Sequence, residues 1–161
     1  MGVSTDGFIC FGLKFDEDVE FPWSEQDSLE SWWKDVNGYQ NPFELYGSDG
    51  NYLPHVKLVG DRFNLRPTDD VWDAFYGPML AWEKANPLPI ELVNYCSGDC
   101  PMWIIALPDT VTRARRGYPV EINDAYVSIE AAKTVPLLDF CAKYGISGGE
   151  GPQWWLGSYW G

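Results

Sequence analysis

PIELVNYCSGDCPMWIIAL, residues 89–107, is the stretch that decides the fold of this chain. Runs of strand-favouring apolar residues lie on both sides of a short turn sequence, Ser97-Gly98-Asp99. Two such runs joined by a short turn are typical of paired strands. The stretch therefore predicts an antiparallel β-hairpin over 89–107.

Further strands and helices are predicted on both sides of the hairpin. The other predicted strands are 8–15, 55–60, 117–122 and a Trp-rich strand or lid at 152–161. The predicted helices are 27–36, 68–85 and 128–144. Within the first strand, Gly12 marks a bulge or the close approach of another backbone. This order predicts an α+β fold over 1–161, a single domain whose mostly antiparallel sheet has about three helices packed on it.

The composition is acidic and rich in aromatic residues. The chain has 24 Asp and Glu against 11 Lys and Arg, a formal net charge of −13, together with 9 Trp, 9 Tyr and 8 Phe. The N-terminal third, residues 1–50, holds 11 of the acidic residues and two basic ones. The negative electrostatic field of such a charge distribution repels nucleic acid and anionic membranes and attracts basic protein surfaces.

The acidic third contains the residues that we expect to bind a partner. Carboxylates would attract its basic surface, and tryptophans would provide apolar anchors, because exposed Trp is a common binding hot spot. The candidate residues are Asp16, Glu17, Asp18, Glu20, Trp23, Glu25, Asp27, Glu30, Trp32 and Trp33. The alternative is a solvated acidic surface that serves solubility, with the tryptophans in the core.

A single basic cluster, Arg113, Arg115 and Arg116, interrupts the acidic sequence. Two arginines at alternate positions of an edge strand share one face and could hold a phosphate or a carboxylate. Charged side chains also protect an edge strand from pairing with another chain, which is the competing interpretation. We predict an anion-binding site at these three residues.

No residue pattern predicts catalysis, a metal or a cofactor. Cys96 and Cys100 flank the hairpin turn without the Cys-x-x-Cys spacing of redox sites, and two further zinc ligands are not evident. Whether the two thiols pair, bind metal or stay free is left open. His55 lacks a nucleophile in a signature context, so a structural or surface role is expected.

The sequence also limits location and function. It has no signal-like start and no apolar run long enough for a membrane span, so we expect a cytoplasmic protein. A small, acidic, aromatic-rich chain of this kind is similar in character to bacteriophage accessory and inhibitor proteins, which would place it in the host cytoplasm. The predicted function is therefore an acidic, non-enzymatic binding or inhibitor protein that engages a basic protein surface, in the manner of an anti-defence protein or DNA mimic. The alternatives are a small enzyme or anionic-ligand-binding domain, and a structural subunit of a virion or other assembly.

Overall fold

A computed structural model describes the chain over residues 5–16, 19–26, 28–41, 43–62, 64–97, 101–122, 131–147 and 149–160. It has the predicted α+β architecture, and the chain forms two compact units. The sheet unit consists of Met1–Leu29 and Pro89–Gly161, and the helix unit consists of Glu30–Leu88. Among the described helices, none combines the length and the apolar character needed to cross a membrane.

Seven strands and three α-helices occur in the described ranges. The strands are β1 Thr5–Phe15, β2 Leu58–Gly60, β3 Leu65–Pro67, β4 Glu91–Ser97, β5 Pro101–Ala106, β6 Thr112–Ala114 and β7 Glu150–Trp160. The helices are α1 Leu29–Val36, α2 Asp69–Ala85 and α3 Ala131–Lys143. The predicted hairpin is confirmed as β4 and β5, and the Trp-rich tail is confirmed as a strand, β7.

The predicted strand at 117–122 is wrong. The segment instead contains a turn, in which the Tyr118 amide donates to the Arg115 carbonyl at 2.9 Å and Gly117 has a φ of 80°. Pro119 follows and has no N–H to donate to a ladder. The strand of this region is β6, five residues earlier, and its central residue is Arg113.

The sheet of the sheet unit closes on itself. β1 pairs with β7 along one edge and with β5 and β6 along the other. β4 pairs with β5, and its last two residues also pair with β7. The pairings β1–β5, β5–β4, β4–β7 and β7–β1 thus form a closed circuit, a small barrel with β6 extending the β5 edge. All are antiparallel except β4–β7.

Gly12 is confirmed both as a bulge and as a point of close approach. The β1–β7 register shifts between Gly12 and Lys14. A Cβ atom added at Gly12 would meet the backbone of β5, including Ala106 Cα at 2.8 Å. A side chain at this position would therefore separate the two strands.

An apolar cluster is described in each unit. In the barrel, Phe8, Cys10, Val93, Ile104 and Ala106 pack together from three strands. In the helix unit, Val71 of α2 packs with two buried loop residues, Leu45 and Val56. α2 continues through Pro78 without ending. The predicted strand at 55–60 is reduced to β2, which pairs only with β3.

Candidate binding surfaces

The acidic segment, residues 16–26, follows directly after β1 in the sheet unit. The Phe21 ring packs on Phe15 at 5.4 Å and stacks on Trp23 at 4.8 Å, which holds the segment against the unit. Asp16, Glu20 and Glu25 are exposed, and no ion pair involves them in the described part of the chain. Three of the predicted acidic residues, Glu17, Asp18 and Asp27, lie outside the described residues. The described carboxylates of the segment are therefore available to an external cation.

The burial of two predicted anchors corrects the sequence interpretation. Trp23 and Trp32 are each only 6% exposed, so neither ring offers a contact surface for a partner. Trp23 lies 6.5 Å from Phe140 of α3, which places it in the core of the sheet unit. The sequence could not separate these residues from exposed ones, because a tryptophan beside acidic residues fits both a core and an interface.

Glu30 and Trp33 come together in the helix unit. They line a cavity of about 240 Å³ between α1 and the end of α2. The Trp33 indole Nε1 donates to the Asn86 carbonyl at 3.0 Å, and Lys34 Nζ lies 2.7 Å from Glu83 Oε1. Trp33 is half-buried, and its polar group already has a partner in the fold. It therefore joins the two helices rather than presenting a free anchor.

An apolar strip that the sequence reasoning missed lies on the outer face of the barrel. We define it as Ile9, Val120, Ile122 and Leu156, which line one shallow depression. Leu156 lies directly opposite Ile9 in the β1–β7 register and is 82% exposed, and Ile122 is 53% exposed. These side chains make the strip a candidate contact surface for a partner. The sequence contained a signal for this strip, because side chains alternate in direction along β7, so that Trp155 faces inward and Leu156 faces outward.

Two of the three predicted arginines lie beside the same cavity of the sheet unit. Arg113 and Arg115 line a cavity of about 230 Å³. Arg113 Nη1 forms an ion pair with Glu91 Oε1 at 2.6 Å. Arg116 is not among the lining residues, and its backbone amide donates to the Asp6 carboxylate at 3.3 Å. The cluster therefore separates into a pair that shares a cavity and one residue that does not.

The described cysteines have two different environments. Burial raises the pKa of the Cys10 thiol to about 12 and that of Cys141 to about 11. Cys96 is exposed and free at the end of β4, where its φ of 75° is unusual for a residue other than glycine. Cys100 lies outside the described residues. Within the described ranges, no three His, Cys, Asp or Glu side chains are arranged to hold a metal ion.

His55 has local contacts in the helix unit. Its Nε2 lies 3.2 Å from the Glu44 carbonyl, and its ring meets Phe43 edge-on at 5.5 Å. These contacts fit the structural or surface role expected for it.

The thiol environments predict selective alkylation. At pH 8, iodoacetamide should modify Cys96 rapidly, whereas Cys10 and Cys141 should react at least about a hundredfold more slowly, because little of either is thiolate and both are buried. Peptide mass spectrometry at timed intervals would measure each site separately. In urea, the two buried thiols should become reactive. Modification of Cys10 at the rate of Cys96 in the folded protein would contradict this assignment.

Comparison of the chain with protein-family models, with curated proteins and with solved structures gives no match in any of the three. The functional argument therefore depends on the residues themselves.

Proposed function

We propose that this chain is an acidic, non-enzymatic binding protein that engages a basic surface on another protein. The observation that carries the proposal is the acidic segment, whose described carboxylates are exposed and without ion-pair partners. The Phe21 and Trp23 rings are buried in the sheet unit and fix the described part of this segment, from which Glu20 and Glu25 are exposed. Fixed charges of one sign accelerate association with a surface of the opposite sign.

The charge of the whole sheet unit supports the same proposal. It contains 15 acidic against 6 basic residues, whereas the helix unit contains 9 against 5. Charge alone provides attraction and little contact area. The apolar strip supplies the missing contact, since burial of Leu156 and its neighbours would stabilise the bound state. The proposed binding surface thus combines the acidic segment with an apolar strip of the same unit.

The specific form proposed is inhibition by mimicry of nucleic acid. A groove that binds nucleic acid is lined by basic side chains spaced to meet phosphates, and carboxylates can occupy the same positions. Such an inhibitor would compete directly with the nucleic acid for its target. This form suits an anti-defence protein of a bacteriophage acting in the host cytoplasm.

A set of charge-neutralising variants tests the proposal. The triple variant Asp16→Asn, Glu20→Gln, Glu25→Gln removes three of the exposed charges, and the control triple variant Asp35→Asn, Asp73→Asn, Asp139→Asn removes three other exposed charges. Proteins captured from bacterial lysate by the wild-type chain would be identified and purified, and their affinities measured by calorimetry. The first triple variant should weaken binding about tenfold, at roughly 0.5 kcal/mol for each charge, and the control should change it little.

Salt and competition measurements complete this test. Wild-type affinity should fall as salt concentration rises, and duplex DNA should displace the chain from its target. Leu156→Ser should weaken binding at every salt concentration, because it removes apolar contact and no charge. Equal affinities for the two triple variants, or binding indifferent to salt, would refute the role of the acidic segment.

A further inference from the structure

The cavity of about 230 Å³ in the sheet unit lies at one mouth of the barrel. Its lining includes Phe8 and Val93, which belong to the barrel core and are almost completely buried. Arg113 lies directly opposite Phe8 in the β1–β6 register, so both residues occupy the same face of the sheet. Side chains from four strands, β1, β4, β6 and β7, therefore surround an opening that reaches down to the core.

Some polar side chains at this mouth of the barrel have an ion-pair or hydrogen-bond partner, and others have none in the described part of the chain. Arg113 forms an ion pair with Glu91, which is not one of the lining residues, at 2.6 Å. The Arg115 guanidinium has no ion pair or hydrogen bond in the described part of the chain, and neither does the side chain of Asn94 or Tyr159. An exposed cation, an amide and a phenol thus border one apolar recess. Ligand sites in barrel mouths combine apolar walls with polar groups that fix orientation, and the large share of polar residues in this lining favours a charged ligand.

From this arrangement we infer that the barrel mouth binds a small organic carboxylate through Arg115, with the apolar body of the ligand beside Gly7 and Ala114, the partly exposed apolar residues of the lining. A guanidinium pairs well with a planar carboxylate, in bidentate geometry. Asp6 also lines the cavity and disfavours a second negative charge, so a monoanion fits better than a phosphate dianion. The volume lies below the roughly 300–1,000 Å³ of typical ligand pockets, which limits the ligand to a single ring or a short chain.

Benzoate is a suitable probe, with benzyl alcohol as its uncharged counterpart and inorganic phosphate as a bare anion. Titration of the full-length chain, followed by amide NMR and calorimetry, should show saturable binding of benzoate centred on the residues of the mouth. Benzyl alcohol should bind at least about tenfold more weakly, because it lacks the charge that Arg115 pairs with. Phosphate should not displace benzoate.

Arg115→Gln should weaken benzoate binding about tenfold or more and leave the melting temperature close to that of the wild type, because Arg115 is exposed. Arg66→Gln removes an exposed arginine that is not part of the lining and serves as the matched control. Three results would each overturn the inference: no saturable binding at millimolar benzoate, equal binding of benzoate and benzyl alcohol, or wild-type affinity in Arg115→Gln. Displacement by phosphate would identify a bare-anion site and overturn the carboxylate assignment. This site does not depend on the proposed protein partner, so either proposal can fail alone.

Discussion

Gly12→Ala will destabilise the protein by about 3 kcal/mol, because the added methyl group has no space between β1 and β5. The new Cβ would meet Ala106 Cα at 2.8 Å, Ile104 Cγ2 at 2.9 Å and the Ile105 carbonyl oxygen even closer. Two of these three atoms are backbone, which cannot rotate away as a side chain can. The strands β1 and β5 would have to separate, and the barrel would lose one of its four closing pairings.

Urea unfolding followed by tryptophan fluorescence would measure this loss. Gly7→Ala is the matched control, because it lies in the same strand and its added Cβ would come no closer than 3.9 Å to any neighbouring backbone atom. We expect the control to change the free energy of unfolding by less than about 1 kcal/mol. Similar losses in the two variants would show that the cost comes from strand propensity and not from the contact with β5.

Thr110→Val will cost about 2 kcal/mol of stability, although valine has nearly the same shape as threonine. Thr110 is 4% exposed and is the buried polar residue of the described ranges. Its hydroxyl donates to the Leu107 carbonyl at 2.7 Å and accepts from the Phe11 amide at 3.0 Å. Leu107 keeps a second donor in the Thr110 amide, whereas the Phe11 amide would be left buried and unpaired. The cost of that unpaired amide dominates the expected loss.

Thr110→Ser separates the hydroxyl from the shape of the side chain. Serine keeps both hydrogen bonds and lacks one buried methyl group, so its expected cost is about 1 kcal/mol. Denaturation of both variants under the same conditions would measure the difference. A serine variant less stable than the valine variant would show that packing, and not the hydroxyl, holds the connection between β5 and β6.

Several parts of the fold could be predicted because their signals are local. The apolar runs on both sides of the turn at Ser97 predict the β4–β5 hairpin, and Gly38, with a φ of 69°, ends α1 as a glycine after a helix does. Gly12 stood in an apolar strand with no local reason for a glycine, which indicated a contact from elsewhere. The strand prediction for residues 117–122 failed because Val120 and Ile122 favour a strand, whereas Gly117 lies in a turn and Pro119, which follows it, has no N–H to donate to a ladder.

The candidate surfaces were predicted less well because they depend on side-chain direction. Trp23 and Trp32 are buried, whereas Leu156, inside a tail expected to pack, is exposed. The arginines were identified as a cluster, yet only Arg113 and Arg115 share a cavity. A one-residue difference in strand position reverses which face a side chain occupies, and composition does not contain that information.

By itself, the sequence determined the negative field of this protein, the positions of most strands and helices, and the need for glycine at residue 12. The negative electrostatic field follows from the charge count. The positions of strands and helices follow from patterns among residues that are neighbours in the sequence. Tertiary structure decided that the strands close into a barrel, that Leu156 faces outward, and that Arg115 lines the same cavity as Phe8 and Val93. Those outcomes depend on pairing between residues up to about 150 positions apart, such as Thr5 and Trp160, and distant pairing is set by which register buries the most apolar surface.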